Sequence, residues 1–205
     1  MTRIKFCGLS RISDIEAANE IMPDYAGFVF WKDSRRYISP ENAVILRKIL
    51  KPEIISVGVF VNEKIEVISE IIRTGAISAV QLHGSEDDEY ISLLRERTHS
   101  IIIRAFRIEG TEDVMKAEKS IADYVMLDSG KGTGRLFDWR LAENFLGKKF
   151  FLAGGLDAHN VSCAIEALRP YAVDVSSGIE TDGRKDIMKM KMFYEAVRRA
   201  DNNDE

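Results

Sequence analysis

The stretch from Lys149 to Gly178, KFFLAGGLDAHNVSCAIEALRPYAVDVSSG, holds one complete folding unit. It opens on the apolar run Lys149 to Ala153 and turns at Gly154-Gly155. Val161, Ala164, Ile165 and Leu168 follow at helical spacing, and a second apolar run, Tyr171 to Val175, closes the unit. Asp157 precedes the helical segment and is expected to cap it. Strand, capped helix, strand is the βαβ rhythm. Neither run alternates strictly, as expected where a parallel sheet is buried on both faces.

The same unit recurs outward from this stretch. Apolar runs rich in β-branched residues lie at Arg3 to Cys7, Tyr25 to Phe30, Ile54 to Phe60, Ile77 to Leu82, Ser100 to Ala105 and Asp123 to Leu127, so eight runs start roughly 22 to 30 residues apart. Ile65, Ile68, Ile71 and Ile72 mark another helical face, with Asn62 expected to cap Glu63 to Arg73 and Asp138 to cap Trp139 to Phe145. Eight units in succession fit a closed eight-stranded parallel β/α (TIM) barrel better than an open doubly wound sheet, although 205 residues is short against the usual ~250. The expected organisation is one barrel domain over residues 1–199 and a frayed tail from Ala200 to Glu205.

Composition narrows the function classes. With 45% hydrophobic residues the chain can bury a substantial core, and 30% charged residues of nearly balanced sign leave a net charge of -4. Binding to a phosphate backbone has no global electrostatic support, so nucleic acid is not an expected partner. No apolar run approaches the roughly 20 residues that cross a bilayer, and no secretory signal precedes the first strand. A soluble, cytoplasmic protein is the expectation. Cys7 and Cys163 lie far apart, and with His83, His99 and His159 they form none of the usual metal-ligand spacings, so neither a disulfide nor a metal is expected.

In a β/α barrel the chemistry gathers where strands end at their C-terminal side. Those positions read Cys7-Gly8, Arg35-Arg36, Asn62, His83-Gly84, Arg104, Asp128-Ser129, Gly154-Gly155 and Ser176-Ser177-Gly178. Small residues after the seventh and eighth strands let backbone N–H groups approach an anion, and phosphate is the natural ligand; alone, Gly154-Gly155 would signify no more than a tight turn. Asp128 suits a general acid or a loop cap, and Cys7 suits a catalyst or a small buried hydrophobe. Arg36 can offer a fork to a carboxylate, whereas Arg35 reads as solvated surface. His83 suits either substrate orientation or loop fixation. Cys163, on a helix's apolar face, and His159 read as structural, and His99 has no functional neighbour. The segment Gly130-Lys131-Gly132-Thr133-Gly134 matches no nucleotide-binding fingerprint and reads as a mobile loop over the site.

Taken in order, Lys5-Phe6-Cys7-Gly8, Ser34-Arg35-Arg36-Tyr37-Ile38, Val80-Gln81-Leu82-His83-Gly84, Leu127-Asp128-Ser129, Phe137-Asp138-Trp139, Leu152-Ala153-Gly154-Gly155-Leu156 and Val173-Asp174-Val175-Ser176-Ser177-Gly178 resemble the phosphoribosylanthranilate isomerase family across essentially the whole chain. Phe6 and Leu9-Ser10 depart from the family's commoner Ile and Ile-Thr. The resemblance implies an Amadori rearrangement of a phosphorylated aminosugar, with no redox cofactor. By the same resemblance Asp128 is the general acid that opens the ribose ring, and Cys7 is the base that removes the C2 proton. It also implies that Arg36 holds the anthranilate carboxylate, with His83 and Asp174 in the substrate site. The phosphate is expected to bind at Gly154, Gly155, Ser176, Ser177 and Gly178.

An unperturbed thiol titrates near ~8.5 and an aspartate near ~3.9, so both groups need surroundings that shift them, such as a positive field at Cys7. The phosphate loops alone would serve another phosphate-binding barrel enzyme equally well, such as indole-glycerol-phosphate synthase or a pentose-phosphate epimerase. They would also serve a catalytically silent phosphometabolite-binding module, which needs neither Cys7 nor Asp128. The sequence is silent on oligomeric state.

Overall fold

The computed structural model describes residues 1–128, 141–143, 145 and 147–203. Eight parallel strands, β1 (Arg3–Cys7), β2 (Tyr25–Val29), β3 (Ile55–Phe60), β4 (Ala79–Leu82), β5 (Ile101–Arg107), β6 (Tyr124–Asp128), β7 (Phe150–Ala153) and β8 (Ala172–Val175), pair in chain order. The barrel closes where β8 returns to β1, with Arg3 opposite Ala172 and Lys5 opposite Asp174. Helices α1 (Ile12–Ile21), α2 (Pro40–Ile49), α3 (Ile65–Arg73), α4 (Asp88–Arg95), α5 (Thr111–Lys119), α6 (Val161–Leu168) and α7 (Ile187–Asn203) lie between and after the strands.

Both strand faces are buried, which is why the runs read as continuously apolar. Ile4, Phe6, Phe28, Phe60 and Leu82 point outward into the layer beneath the helices, while Val57, Ile103, Met126 and Phe151 fill the interior. At the N-terminal end, Tyr25, Tyr124 and Tyr171 surround Phe151, and the Tyr25 and Tyr171 hydroxyls lie 3.2 Å apart. That aromatic floor leaves the polar inward positions Lys5, Gln81, Asp128 and Asp174 toward the C-terminal ends of their strands.

Several local expectations are corrected. Asn62 does not cap α3: its backbone is left-handed (φ 51°), its Oδ1 accepts from the Ser85 N–H, and its own N–H donates to Glu86. The residue ties the loop after β3 to the loop after β4 instead. Asp157 accepts from the N–H groups of His159 and Asn160, closing a turn ahead of α6, whose N-terminal flanking residue is Asn160. The expected tail at Ala200 is helix through Asn203. Ala200 is buried, and Asp201 accepts from the Thr2 N–H at 2.8 Å, so the helix end clamps the start of β1. Ser129, the Gly130 to Gly134 segment and Phe137-Asp138-Trp139 with its expected cap lie outside the described residues. Among the described residues no helix is long and apolar enough to cross a membrane.

Candidate active site

Because all eight strands are parallel, Cys7 at the end of β1, Asp128 at the end of β6 and Gly154-Gly155 after β7 share the C-terminal mouth. Cys7 points inward beside Val29 and Val59 and is 8% exposed. Two residues earlier on the same strand, Lys5 points the same way. It is fully buried, with Nζ 2.7 Å from Asp174 Oδ1. Gly27 on β2 faces both side chains: a Cβ there would lie 3.0 Å from Cys7 Sγ and 3.2 Å from Lys5 Nζ, so the glycine leaves the space that thiol and ammonium share.

Beyond β8 the chain enters a short 3-10 turn (Ser177–Ile179) and a two-residue hairpin, β9 (Glu180–Thr181) and β10 (Arg184–Lys185). Asp182 and Gly183 form its turn with positive φ, as tight hairpins require. The pairing sets Lys185 opposite Glu180, and Lys185 Nζ reaches Glu180 Oε1 at 2.7 Å and the Ser176 carbonyl at 2.9 Å. Ser176 Oγ in turn donates to the Cys7 carbonyl at 3.0 Å, latching this loop to β1.

Glu180 also organises both arginines. Arg36 donates from Nε to Oε1 at 2.6 Å and from Nη2 to Oε2 at 2.9 Å, and Arg35 Nη2 donates to Oε2 at 2.8 Å. Arg35 is therefore ion-paired rather than merely solvated, and one edge of the Arg36 fork is already filled. Its end edge, Nη1 with the second Nη2 hydrogen, is the part left to meet an anion. Gly8, at φ 78°, permits this arrangement, since a side chain there would collide with the Arg36 methylenes.

On the opposite side of the mouth, His83 Nε2 lies 3.1 Å from Asp128 Oδ2, and His83 Nδ1 lies 3.2 Å from Gln81 Nε2. With the Gln81 amide donating, Nδ1 accepts and the ring proton sits on Nε2, directed at Asp128. Arg104, assigned to the mouth from the sequence, faces outward to Asp88 on α4 at 2.9 Å, because it alternates with the inward Ile103 and Ala105, and β5 runs on past it to Arg107. Arg107, in register with Asp128, is the arginine at that strand end.

Gly154 and Gly155 both adopt positive φ, 92° and 68°, so the turn itself demands glycine. The loop after β8 packs directly on this turn: a Cβ at Gly178 would strike the Leu156 carbonyl oxygen and lie 3.0 Å from Asp157 Cα. Cys163 is exposed, not on the apolar face of α6, and His99 and His159 are exposed as well. Among the described residues no three His, Cys, Asp or Glu side chains converge as a metal site would need.

The electrostatics are uneven. Burial lifts the Cys7 thiol above its ordinary value and Asp174 adds to this, while Lys5 and Lys185 pull the other way without prevailing. The expected positive field is present, but desolvation outweighs it. Burial opposes the Lys5 ammonium, yet Asp174 and Cys7 together hold it above its ordinary value. Lys185 is lowered by burial despite Glu180. Burial also works against the Glu180 carboxylate, but hydrogen bonds from Arg36 and Lys185 hold it at about 2.

Lys5, Glu180 and Lys185 belong to this mouth although no strand-end pattern in the sequence marks them. A lysine inside an apolar strand, two positions before Cys7, and the Asp182-Gly183 turn were the available signals.

A closed parallel barrel with a thiol, a carboxylate and glycine-built loops at its C-terminal mouth defines a β/α-barrel enzyme of small-molecule metabolism. Comparison with known proteins narrows the class. The sequence profile of the N-(5'-phosphoribosyl)anthranilate isomerase family matches residues 4–196, and the chain belongs to that family. It is 43% identical to the N-(5'-phosphoribosyl)anthranilate isomerase of Acetivibrio thermocellus over 98% of both chains. A Thermoanaerobacter relative of the same name is 44% identical over 97% of this chain and 98% of its own. Among solved structures, phosphoribosyl anthranilate isomerase of Thermotoga maritima superposes with a TM-score of 0.89 at 36% identity, covering 97% of this chain and 100% of that one. A further structure of the family, solved with reduced 1-(o-carboxyphenylamino)-1-deoxyribulose 5-phosphate, matches with a TM-score of 0.86 at 36% identity, over 97% and 100% of the two chains.

Proposed function

We propose that the chain converts N-(5-phosphoribosyl)anthranilate to 1-(2-carboxyphenylamino)-1-deoxyribulose 5-phosphate, an aldose-to-ketose Amadori rearrangement of tryptophan biosynthesis. The observation that carries this reading is the placement of Cys7 and Asp128, the acid/base pair the resemblance implies, at one mouth of the barrel. Such a biosynthetic role suits a cytoplasmic protein.

Asp128 donates a proton to the ribose ring oxygen as the ring opens to the Schiff base, and the His83 Nε2–H receives the carboxylate that remains. Cys7, as thiolate, then takes the proton from C2, and the electron pair moves toward the Schiff-base nitrogen to give the enolamine. Arg36, oriented by Glu180, offers its end edge to the anthranilate carboxylate. The backbone amides near Gly154, Gly155, Ser176, Ser177 and Gly178 hold the phosphate where the two loops meet. Asp174 faces the sugar hydroxyls while anchoring Lys5. Arg35, Arg36 and Lys185 surround the single carboxylate of Glu180, a surplus of positive charge that favours a substrate carrying both phosphate and carboxylate.

Turnover of freshly generated phosphoribosyl anthranilate, followed by loss of its fluorescence, tests this reading. Steady conversion supports it. Phosphate-ligand binding without turnover identifies a catalytically silent module instead.

A further inference from the structure

The proposed function needs Cys7 as a base, yet burial favours its protonated form. The groups facing the thiol explain how the proton leaves. From β1 comes Lys5, from β8 Asp174, and from β10 Lys185, itself tied to Glu180 and through it to Arg36. β2 contributes Gly27 and Val29, and β3 contributes Val59, none of them charged. Lys5 is thus a fully buried ammonium with a carboxylate 2.7 Å away, and it shares the inward face of β1 with the thiol two residues on. Gly27 keeps a side chain out of the space next to both, where a Cβ would lie 3.0 Å from the sulfur and 3.2 Å from the ammonium.

We propose that Lys5 is the positioning residue that lets Cys7 exist as a thiolate, and that Asp174 restrains Lys5 until ligand hydroxyls share the Asp174 carboxylate. In that step the Cys7 S–H bond breaks, its proton passes to water in the mouth, and Lys5 Nζ turns a hydrogen bond from Asp174 Oδ1 to the sulfur. The thiolate so formed is the species that takes the C2 proton. This rests on Cys7 acting as the base, but its electrostatic content is measurable without substrate.

The test is an ultraviolet thiolate titration of Cys7 in the folded protein carrying Cys163→Ser, so that the exposed second thiol does not contribute, with Cys7→Ser/Cys163→Ser as the blank. Asp174→Asn is expected to lower the Cys7 midpoint, and Lys5→Met to raise it, each by about 1 to 3 pH units, the usual reach of a charge at this range. Lys5→Met strands the Asp174 carboxylate, so the decisive comparison is Asp174→Asn against Lys5→Met/Asp174→Asn. There the double variant should titrate higher by a similar amount, and the acid limb of its kcat/KM profile should move with it. Equal midpoints in those two variants would overturn the proposal. If the midpoints separate but Cys7→Ala still turns over substrate, the role of Cys7 as base is wrong while its electrostatic control by Lys5 stands.

Discussion

His83 and Asp128 meet across the mouth with Nε2 3.1 Å from Oδ2, and Gln81 stands behind the imidazole with its amide 3.2 Å from Nδ1. The far oxygen of that amide, Gln81 Oε1, is buried without a hydrogen-bond partner among the described residues. An orphaned buried acceptor costs about 1–3 kcal/mol. Gln81→Met removes the orphan and the tautomer lock together. We expect thermal stability to change by no more than about 1 kcal/mol while kcat falls about tenfold and KM holds. Nitrogen NMR of His83 should show the proton on Nε2 in the native protein and a mixture of tautomers in the variant.

Glu180 sets an acid limit on the fold. Its carboxyl titrates at about 2 instead of 4.5, so it contributes stability in full above about 4.5, and that contribution drains as pH falls toward 2. Glu180→Gln, which cannot titrate, should start less stable at neutral pH and lose less between pH 5 and 2. Parallel pH–stability curves for the two proteins would show that the carboxylate is not held as described.

Gly178 lets the two glycine-built loops pack against each other. Gly178→Ala drives a Cβ into the Leu156 carbonyl, a backbone contact that yields only if the loops part. KM should rise at least about tenfold with kcat changed much less, since phosphate binding is felt in the ground state and the transition state alike. Inhibition by inorganic phosphate should weaken in parallel.

Arg36→Ala should leave Glu180 held by Arg35 and Lys185, so that the variant folds. Losing a charge-assisted bond of about 1.5–3 kcal/mol should lower kcat/KM about 10- to 100-fold. Wild-type efficiency in the folded variant would remove Arg36 from carboxylate recognition.

What the sequence disclosed follows from how local each feature is. The eight strands were readable because parallel strands buried on both faces leave long apolar runs, and Cys7, Asp128 and Gly154-Gly155 could be placed from strand ends alone. Lys5 was hidden by the same logic, since a run read as apolar conceals the inward charge within it. Read to Ala105, the fifth run ends two residues short of the true end of β5, so the pattern points to Arg104 where Arg107 stands at the strand end. The Glu180–Arg36 pair spans 144 residues and leaves no trace in any local pattern, so the filled edge of the arginine fork was invisible until the barrel closed. The role of Asn62 was missed for a related reason: its partners, Ser85 and Glu86, belong to the neighbouring unit.

Single-turnover chemistry with substrate deuterated at C2 addresses the acid/base pair itself. Wild-type protein should show a primary isotope effect on enolamine formation. Folded Cys7→Ala and Asp128→Asn should each lose kcat by at least about 100-fold, the low end for a positioned acid or base. Wild-type rates in folded Cys7→Ala would eliminate Cys7 as the base, and the same result in folded Asp128→Asn would eliminate Asp128 as the acid.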